Sequence, residues 1–241
     1  TNRVRVAPRA LPPRPSTWLP ARVAAGGLSN QMQALVHALH MATVLGRTLV
    51  LPHVLSGQQG GAAEHSMLPM DHVLDVPYMR RQSRIPIITL SDFLSLPTRQ
   101  SCVVVSLHKP DEGKKRSFLS DLQHDAYFRK VGLVNGVDCT DTQTVKYPEG
   151  GATNNQLVER YDQEPYSSAR LLAFTYMYYV TKAEDIPRHL PWAIRYLHHF
   201  RAAANSIALQ LGGHQEYDCL HLRRGDFSRY CAFILEEEDI T

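Results

Sequence analysis

The sequence has little that would commit it to a membrane, a metal or a nucleic acid. No apolar stretch among its 241 residues approaches the ~20 needed to cross a bilayer. Asp-x-Asp is absent, which argues against a nucleotide-sugar site built on Mg or Mn. There is no Cys-x-x-Cys pair, so neither a zinc knuckle nor a thioredoxin-like centre is expected. The Walker lysine loop, the Rossmann triple-glycine pattern and the Gly-x-Ser-x-Gly elbow are all missing. So is any Asn-x-Ser/Thr glycosylation acceptor. A net charge of +3, from 26 Lys+Arg against 23 Asp+Glu, is too small and too evenly mixed to point to nucleic acid.

What is present is the composition of a globular chain, 44% hydrophobic and 20% charged. Four cysteines (Cys102, Cys139, Cys219 and Cys231) allow three disulfide connectivities, among which sequence does not choose. Any one of these disulfides would imply a secretory compartment. The chain starts at Thr1 and stops just after Glu236-Glu237-Glu238-Asp239, and both ends read as cut or processed.

Residues 1–20 carry Pro8, Pro12, Pro13, Pro15 and Pro20 and read as an extended arm. Ala21–Ala25 is predicted to be a short strand, followed by a tight turn at Gly26-Gly27. Asn30 is predicted to cap a helix, with Gln33 completing a capping box. Met32, Leu35, Val36, Leu39 and Ala42 recur at helical spacing, Gly46 ends the helix, and Thr48–Leu51 is a buried strand. This is βαβ, the unit of a parallel sheet.

Further strands are expected at Ile85–Leu90, at Cys102–Leu107, and from Leu171 through Val180. Ser91 is expected to cap a short helix, and Pro187–Leu211 to form one long helix ending at Gly212-Gly213. Ser56–Glu64 and Pro110–Arg116 read as loops, and Tyr217–Leu222 as the last strand. Strands alternating with helices make the fold class α/β.

Two loops have chemistry unusual for their position, because open α/β sheets bind ligands outside the carboxyl ends of their strands. In Gly26-Gly27-Leu28-Ser29-Asn30-Gln31 the glycines permit close approach of a ligand, and the helix start offers N–H groups to an anion. In His221-Leu222-Arg223-Arg224-Gly225-Asp226, an imidazole and two guanidiniums follow a strand. That combination suits a diphosphate, with Asp226 orienting one fork or capping the next helix. The plainer alternatives are a βα turn and a surface Arg–Asp pair. His37 and His40 share a helix without a carboxylate or cysteine one turn away, so they read as helix-surface residues, not metal ligands. Tyr176, Tyr178 and Tyr179 read as strand packing, not as a platform for bases.

Together the two loops, in this order and at this separation, resemble the GDP-fucose protein O-fucosyltransferase family. The stretch Gly26–Gln31 with its helix and Thr48-Leu49-Val50-Leu51-Pro52 is similar to the opening of those proteins. Cys219–Phe227 is similar to their His-x-Arg-Arg-Gly-Asp-Phe motif. Alpha-1,2-fucosyltransferases share a similar pair, so fucosyl transfer is better marked than the acceptor. Another nucleotide sugar is also compatible with the motifs alone.

The resemblance implies a GT-B type enzyme, with Rossmann-like parallel-sheet domains and GDP-fucose in the cleft. Transfer to a protein or glycan acceptor would invert the anomeric centre and need no metal or other cofactor. Arg223 would stabilise the leaving β-phosphate, while Asn30 would lie by the fucose and the acceptor hydroxyl. Gly26, Gly27, His221, Arg224 and Asp226 would complete the nucleotide-sugar site. The expected domains are 21–212 as the N-terminal Rossmann-like domain, then 213–241 as the first strand and turn of a second domain that is largely missing. The chain ends fifteen residues after Asp226, so by itself it is expected to be incomplete for activity. A catalytically inactive structural subunit of a larger assembly is the alternative. The implied location is the lumen of the endoplasmic reticulum or Golgi.

Overall fold

The structure is a computed structural model that describes residues 18–20, 28–55, 67–96, 100–108, 137–148, 150–174, 177 and 180–213. Contacts divide the chain into two compact units, Thr1–Leu197 and His198–Thr241. The division falls before the expected boundary at 212 and assigns the helix preceding Gly212 to the second unit.

The first unit is built on strands β1 (Trp18–Pro20), β2 (Thr48–Leu51), β5 (Ile87–Thr89), β6 (Gln100–His108), β7 (Val137–Lys146) and β8 (Leu171–Phe174). They form one sheet in the order β5-β2-β1-β8-β6-β7, and every neighbouring pair is parallel. Parallel neighbours cannot be joined by hairpins, and strands of a parallel sheet are buried on both faces. Burial follows from this. All four residues of β8 and the last three of β2 are buried, as continuous apolar runs require. A separate antiparallel pair, β3 (His53–Leu55) and β4 (Met67–Pro69), follows β2. The expected α/β class with a Rossmann-like parallel sheet is the observed one.

Helix α1 (Leu28–Leu45) covers the sheet. Leu35, Leu39 and Ala42 are buried as their spacing predicts, and Met32 and Val36 pack at the margin of the core. Gly46 ends the helix at φ +61°, while the Arg47 N–H closes the last turn on the Ala42 carbonyl at 2.9 Å. The other α-helices described in this unit are α2 (Val76–Ser83), α3 (Leu90–Leu94), α4 (Asn154–Tyr161) and α5 (Leu190–Ala193). Tyr161 on α4 packs edge-on against Phe174, 5.6 Å between centroids, and supports the carboxyl end of β8. In the second unit the described element is α6 (His198–Gln210), which Gly212 and Gly213 close at φ +105° and +108°.

Five local expectations are corrected. The arm expected over 1–20 ends in a sheet strand, Trp18–Pro20, and the strand expected at Ala21–Ala25 lies outside the described residues. Trp18 and Leu19 sit in parallel register with Thr48 and Leu49, and Pro20, which has no N–H to give, is the last paired residue. Helix α1 starts at Leu28, which puts Asn30 inside its first turn instead of at the cap. A short polar residue is tolerated there because the first N–H groups lack intrahelical partners anyway. Thr89, not Ser91, caps α3, in a full capping box with Asp92. β8 stops at Phe174 and does not run through Val180.

The expected helix over 187–211 is broken into α5 and α6 by the extended segment Ile194–Leu197. Pro191 suits the first turn of α5, but Arg195 and Leu197 give their backbone groups to residues before α2 and not to a continuing helix. The loops expected at 56–64 and 110–116, the strand at 217–222, the three tyrosines and the cysteine pairings lie outside the described residues and side chains. No helix among the described residues is long and apolar enough to cross a membrane.

Candidate functional site

The strand order reverses direction about β1. From β1 the chain passes through α1 to β2 on one side, while β8, β6 and β7 lie on the other. A crevice opens at such a switch point, outside the carboxyl ends of the two central strands, and it is where open α/β sheets bind ligands. The connection leaving β1 contains Gly26 and Gly27, and the first turn of α1 follows it. Leu28, Ser29 and Asn30 in that turn are exposed.

Asn30 is therefore on the surface at the N-terminal end of α1, where unpaired N–H groups and the positive end of the helix dipole attract anions. It is the only described member of the predicted set. Gly26, Gly27, His221, Arg223, Arg224 and Asp226 lie outside the described residues.

Sequence reasoning misplaced two histidines. His40 is buried and His37 partly buried, both inward from the surface positions expected. His40 Nε2 donates to Asn154 Oδ1 at 2.7 Å, joining α1 to α4, and its Nδ1 has no hydrogen-bond partner among the described residues. The Asn154 N–H in turn donates to Asp185 Oδ2 at 3.0 Å. His37 Nδ1 and Thr181 Oγ1 are 2.8 Å apart.

Burial, then the neighbouring His40, lowers the His37 pKa to about 4. Burial also lowers that of His40, against the pull of the Asn154 hydrogen bond and the Asp185 charge. Both rings are thus neutral at physiological pH, and they tie the segment after β8 and the start of α4 to α1. They could have been suspected from sequence only by noticing that 37 and 40 flank the apolar positions 35, 36 and 39. Among the described residues no group of three or more His, Cys, Asp or Glu side chains could hold a metal ion.

The family model of GDP-fucose protein O-fucosyltransferase matches residues 18–240, from the first residue of β1 nearly to the end of the chain. The chain belongs to the GDP-fucose protein O-fucosyltransferase family. The matched span includes both the Gly26–Asn30 and the His221–Asp226 loops.

Among solved structures, POFUT1 in complex with GDP-fucose matches in two crystal forms. The first has a TM-score of 0.53 at 15% identity, over 82% of this chain and 56% of that one. The second has a TM-score of 0.58 at 14% identity, over 91% and 63%. POFUT1 in complex with GDP matches at 0.58 and 15% identity, also over 91% and 63%. At these identities the likeness shows the fold. The chain spans less than two thirds of the length of these structures. No curated protein matches it in sequence.

Proposed function

We propose that the protein transfers fucose from GDP-fucose to a Ser or Thr hydroxyl of a protein acceptor, by a metal-independent, inverting displacement. The observation that carries this is the family match over 18–240, because it takes in both loops that a nucleotide-sugar cleft of this fold requires.

The reacting step is a single displacement. The acceptor oxygen bonds to the anomeric carbon as the bond from that carbon to the β-phosphate oxygen breaks, so the centre inverts. The bonding electrons leave with GDP, and the hydroxyl proton is released. Arg223 meets the charge that develops on the leaving diphosphate, a role worth several kcal/mol of barrier. His221 and Arg224 hold the nucleotide, and Asp226 orients a guanidinium. Two fixed guanidiniums supply the positive charge for which other nucleotide-sugar sites use a divalent ion. Gly26, Gly27 and Asn30 lie on the sugar and acceptor side. A protein acceptor places the reaction in the lumen of the secretory pathway.

The test is transfer of labelled fucose to a folded protein acceptor by the full-length protein, with and without EDTA, and with the product anomer read by NMR. Transfer that survives EDTA and inverts the centre supports the proposal. A folded protein that binds neither GDP nor GDP-fucose overturns it in favour of an inactive structural subunit.

A further inference from the structure

Trp192 is 80% exposed, more than any other large apolar side chain among the described residues. An indole left in water forfeits the burial that a core would give it, and tryptophan and arginine are enriched among the residues that dominate protein interfaces. The short helix that carries this ring is firmly seated. Leu190 and Ala193, on the other face of α5, are buried, and Ile186 and Ile194 pack against the core before and after it in sequence.

The chain enters α5 through a turn in which the Leu190 N–H donates to the Pro187 carbonyl at 3.0 Å. The Ala193 N–H then donates to the His189 carbonyl at 3.1 Å. Helical spacing therefore puts Arg188 and His189 one turn before Trp192 on the same solvent face, and both are exposed. Arg188 is also the last residue of a recess of about 460 Å³ that is lined, among the described residues, by Ala183–Arg188.

The free charge around this face has one sign. α5 packs against α2, and neither helix contains an acidic residue, whereas Arg80, Arg81 and Arg84 at the end of α2 are exposed. The carboxylates nearby in sequence are already engaged. Asp75 is paired with Arg195, Glu184 lies 3.8 Å from the Lys182 ammonium, and Asp185 accepts the Asn154 N–H at 3.0 Å. Arg188 has no ion-pair partner among the described residues.

We propose that the exposed face of α5 docks an acidic segment of a protein partner. An apolar side chain of that segment lies on the Trp192 ring, and a carboxylate pairs with the Arg188 guanidinium. The arginines of α2 attract the segment from a distance. This surface lies within the first unit and operates whether or not the protein transfers fucose. An anionic membrane is the poorer fit. A helix lying in a bilayer surface presents a continuous apolar face, and here Val76, Met79, Leu190 and Ala193 are all buried, which leaves a single ring.

The experiment measures fluorescence polarisation of a labelled acidic peptide, Asp and Glu residues flanking a Leu-Phe pair, with the full-length protein. A peptide with Lys in place of each acidic residue is the control. The acidic peptide should bind, more weakly as salt rises, and the lysine peptide should not. Trp192→Ala should weaken binding on the order of tenfold and leave the thermal melt unchanged. Arg188→Glu should weaken the acidic peptide on the order of tenfold and admit the lysine peptide. No binding of the acidic peptide to wild type at about 1 mM overturns the proposal. So does binding that neither substitution changes. If Trp192 in the free full-length protein resists oxidation by N-bromosuccinimide, the protein itself covers the ring, and that result overturns the proposal too. Retention on phosphatidylserine vesicles that Trp192→Ala abolishes, without binding of the peptide, assigns the face to a membrane instead.

Discussion

His40 and Asn154, 114 residues apart, share a buried 2.7 Å hydrogen bond that fastens α1 to the first turn of α4. The asparagine uses its side-chain oxygen for the histidine and its backbone N–H for Asp185, so one residue joins α1, α4 and the turn after Thr181.

Removing that imidazole should be expensive. His40→Ala strands the Asn154 oxygen in a dry site and opens a cavity, together costing on the order of 3 kcal/mol. Glutamine can present an N–H donor at a similar reach, so His40→Gln should lose less than half as much. Urea unfolding of the two variants measures the difference, and equal losses would mean that packing, not the hydrogen bond, is what His40 supplies.

Acid should act through the neighbouring ring. In the unfolded chain His37 titrates near its ordinary value of 6.5, and in the fold only at about 4. Between those values the unfolded state binds the extra proton, so this contribution to stability is complete above about pH 6.5 and is lost as pH falls toward 4. The slope is about 1.4 kcal/mol per pH unit for one proton. His37→Gln should remove up to one proton from the pH dependence of unfolding between pH 6 and 4.5, measured against wild type by urea titration at each pH. An unchanged slope would show that the ring is not held neutral.

Two adjacent glycines should respond differently to alanine. A Cβ on Gly151 would lie 2.5 Å from the Thr181 carbonyl carbon and 2.8 Å from the Lys182 nitrogen, both backbone atoms, with φ at +96°. On Gly150, at φ +78°, it would meet nothing within 4 Å. Gly150→Ala should cost about 1 kcal/mol through its backbone conformation alone. Gly151→Ala should cost on the order of 3 kcal/mol, because the bridge between Ala152 and Thr181 must also part. Thermal melts of the pair test this ranking.

Arg223→Ala in the full-length protein should lower kcat for fucose transfer 10²-fold or more, the usual cost of a lost donor at a developing charge. Arg223→Lys should recover little of it, since a point charge cannot reproduce a bidentate fork. Single-turnover kinetics with bound GDP-fucose separate this from weakened binding, and full activity in the alanine variant would end the assignment.

The elements written in local pattern were legible without coordinates. The apolar period of Leu35, Leu39 and Ala42 needs only the geometry of a helix, and the run Thr48–Leu51 needs only that a parallel strand is buried on both faces. The motif is likewise displayed by the chain itself, as a set of residue types. Arg223 and Arg224 beside His221 suit a diphosphate wherever the fold puts them.

What tertiary structure alone decided depended on partners distant in sequence. Trp18–Pro20 is a strand because Thr48–Val50 lies alongside it. The helix expected through Ile194–Leu197 is absent because Asp75 and Val73, about 120 positions earlier, claim the backbone of Arg195 and Leu197. His40 is a core residue because Asn154 meets it there. A helical period or a charge cluster is carried by neighbours in the chain, and a sequence displays neighbours. Which remote hydrogen-bonding group will satisfy a given N–H or imidazole is settled only when the sheet order brings the two together.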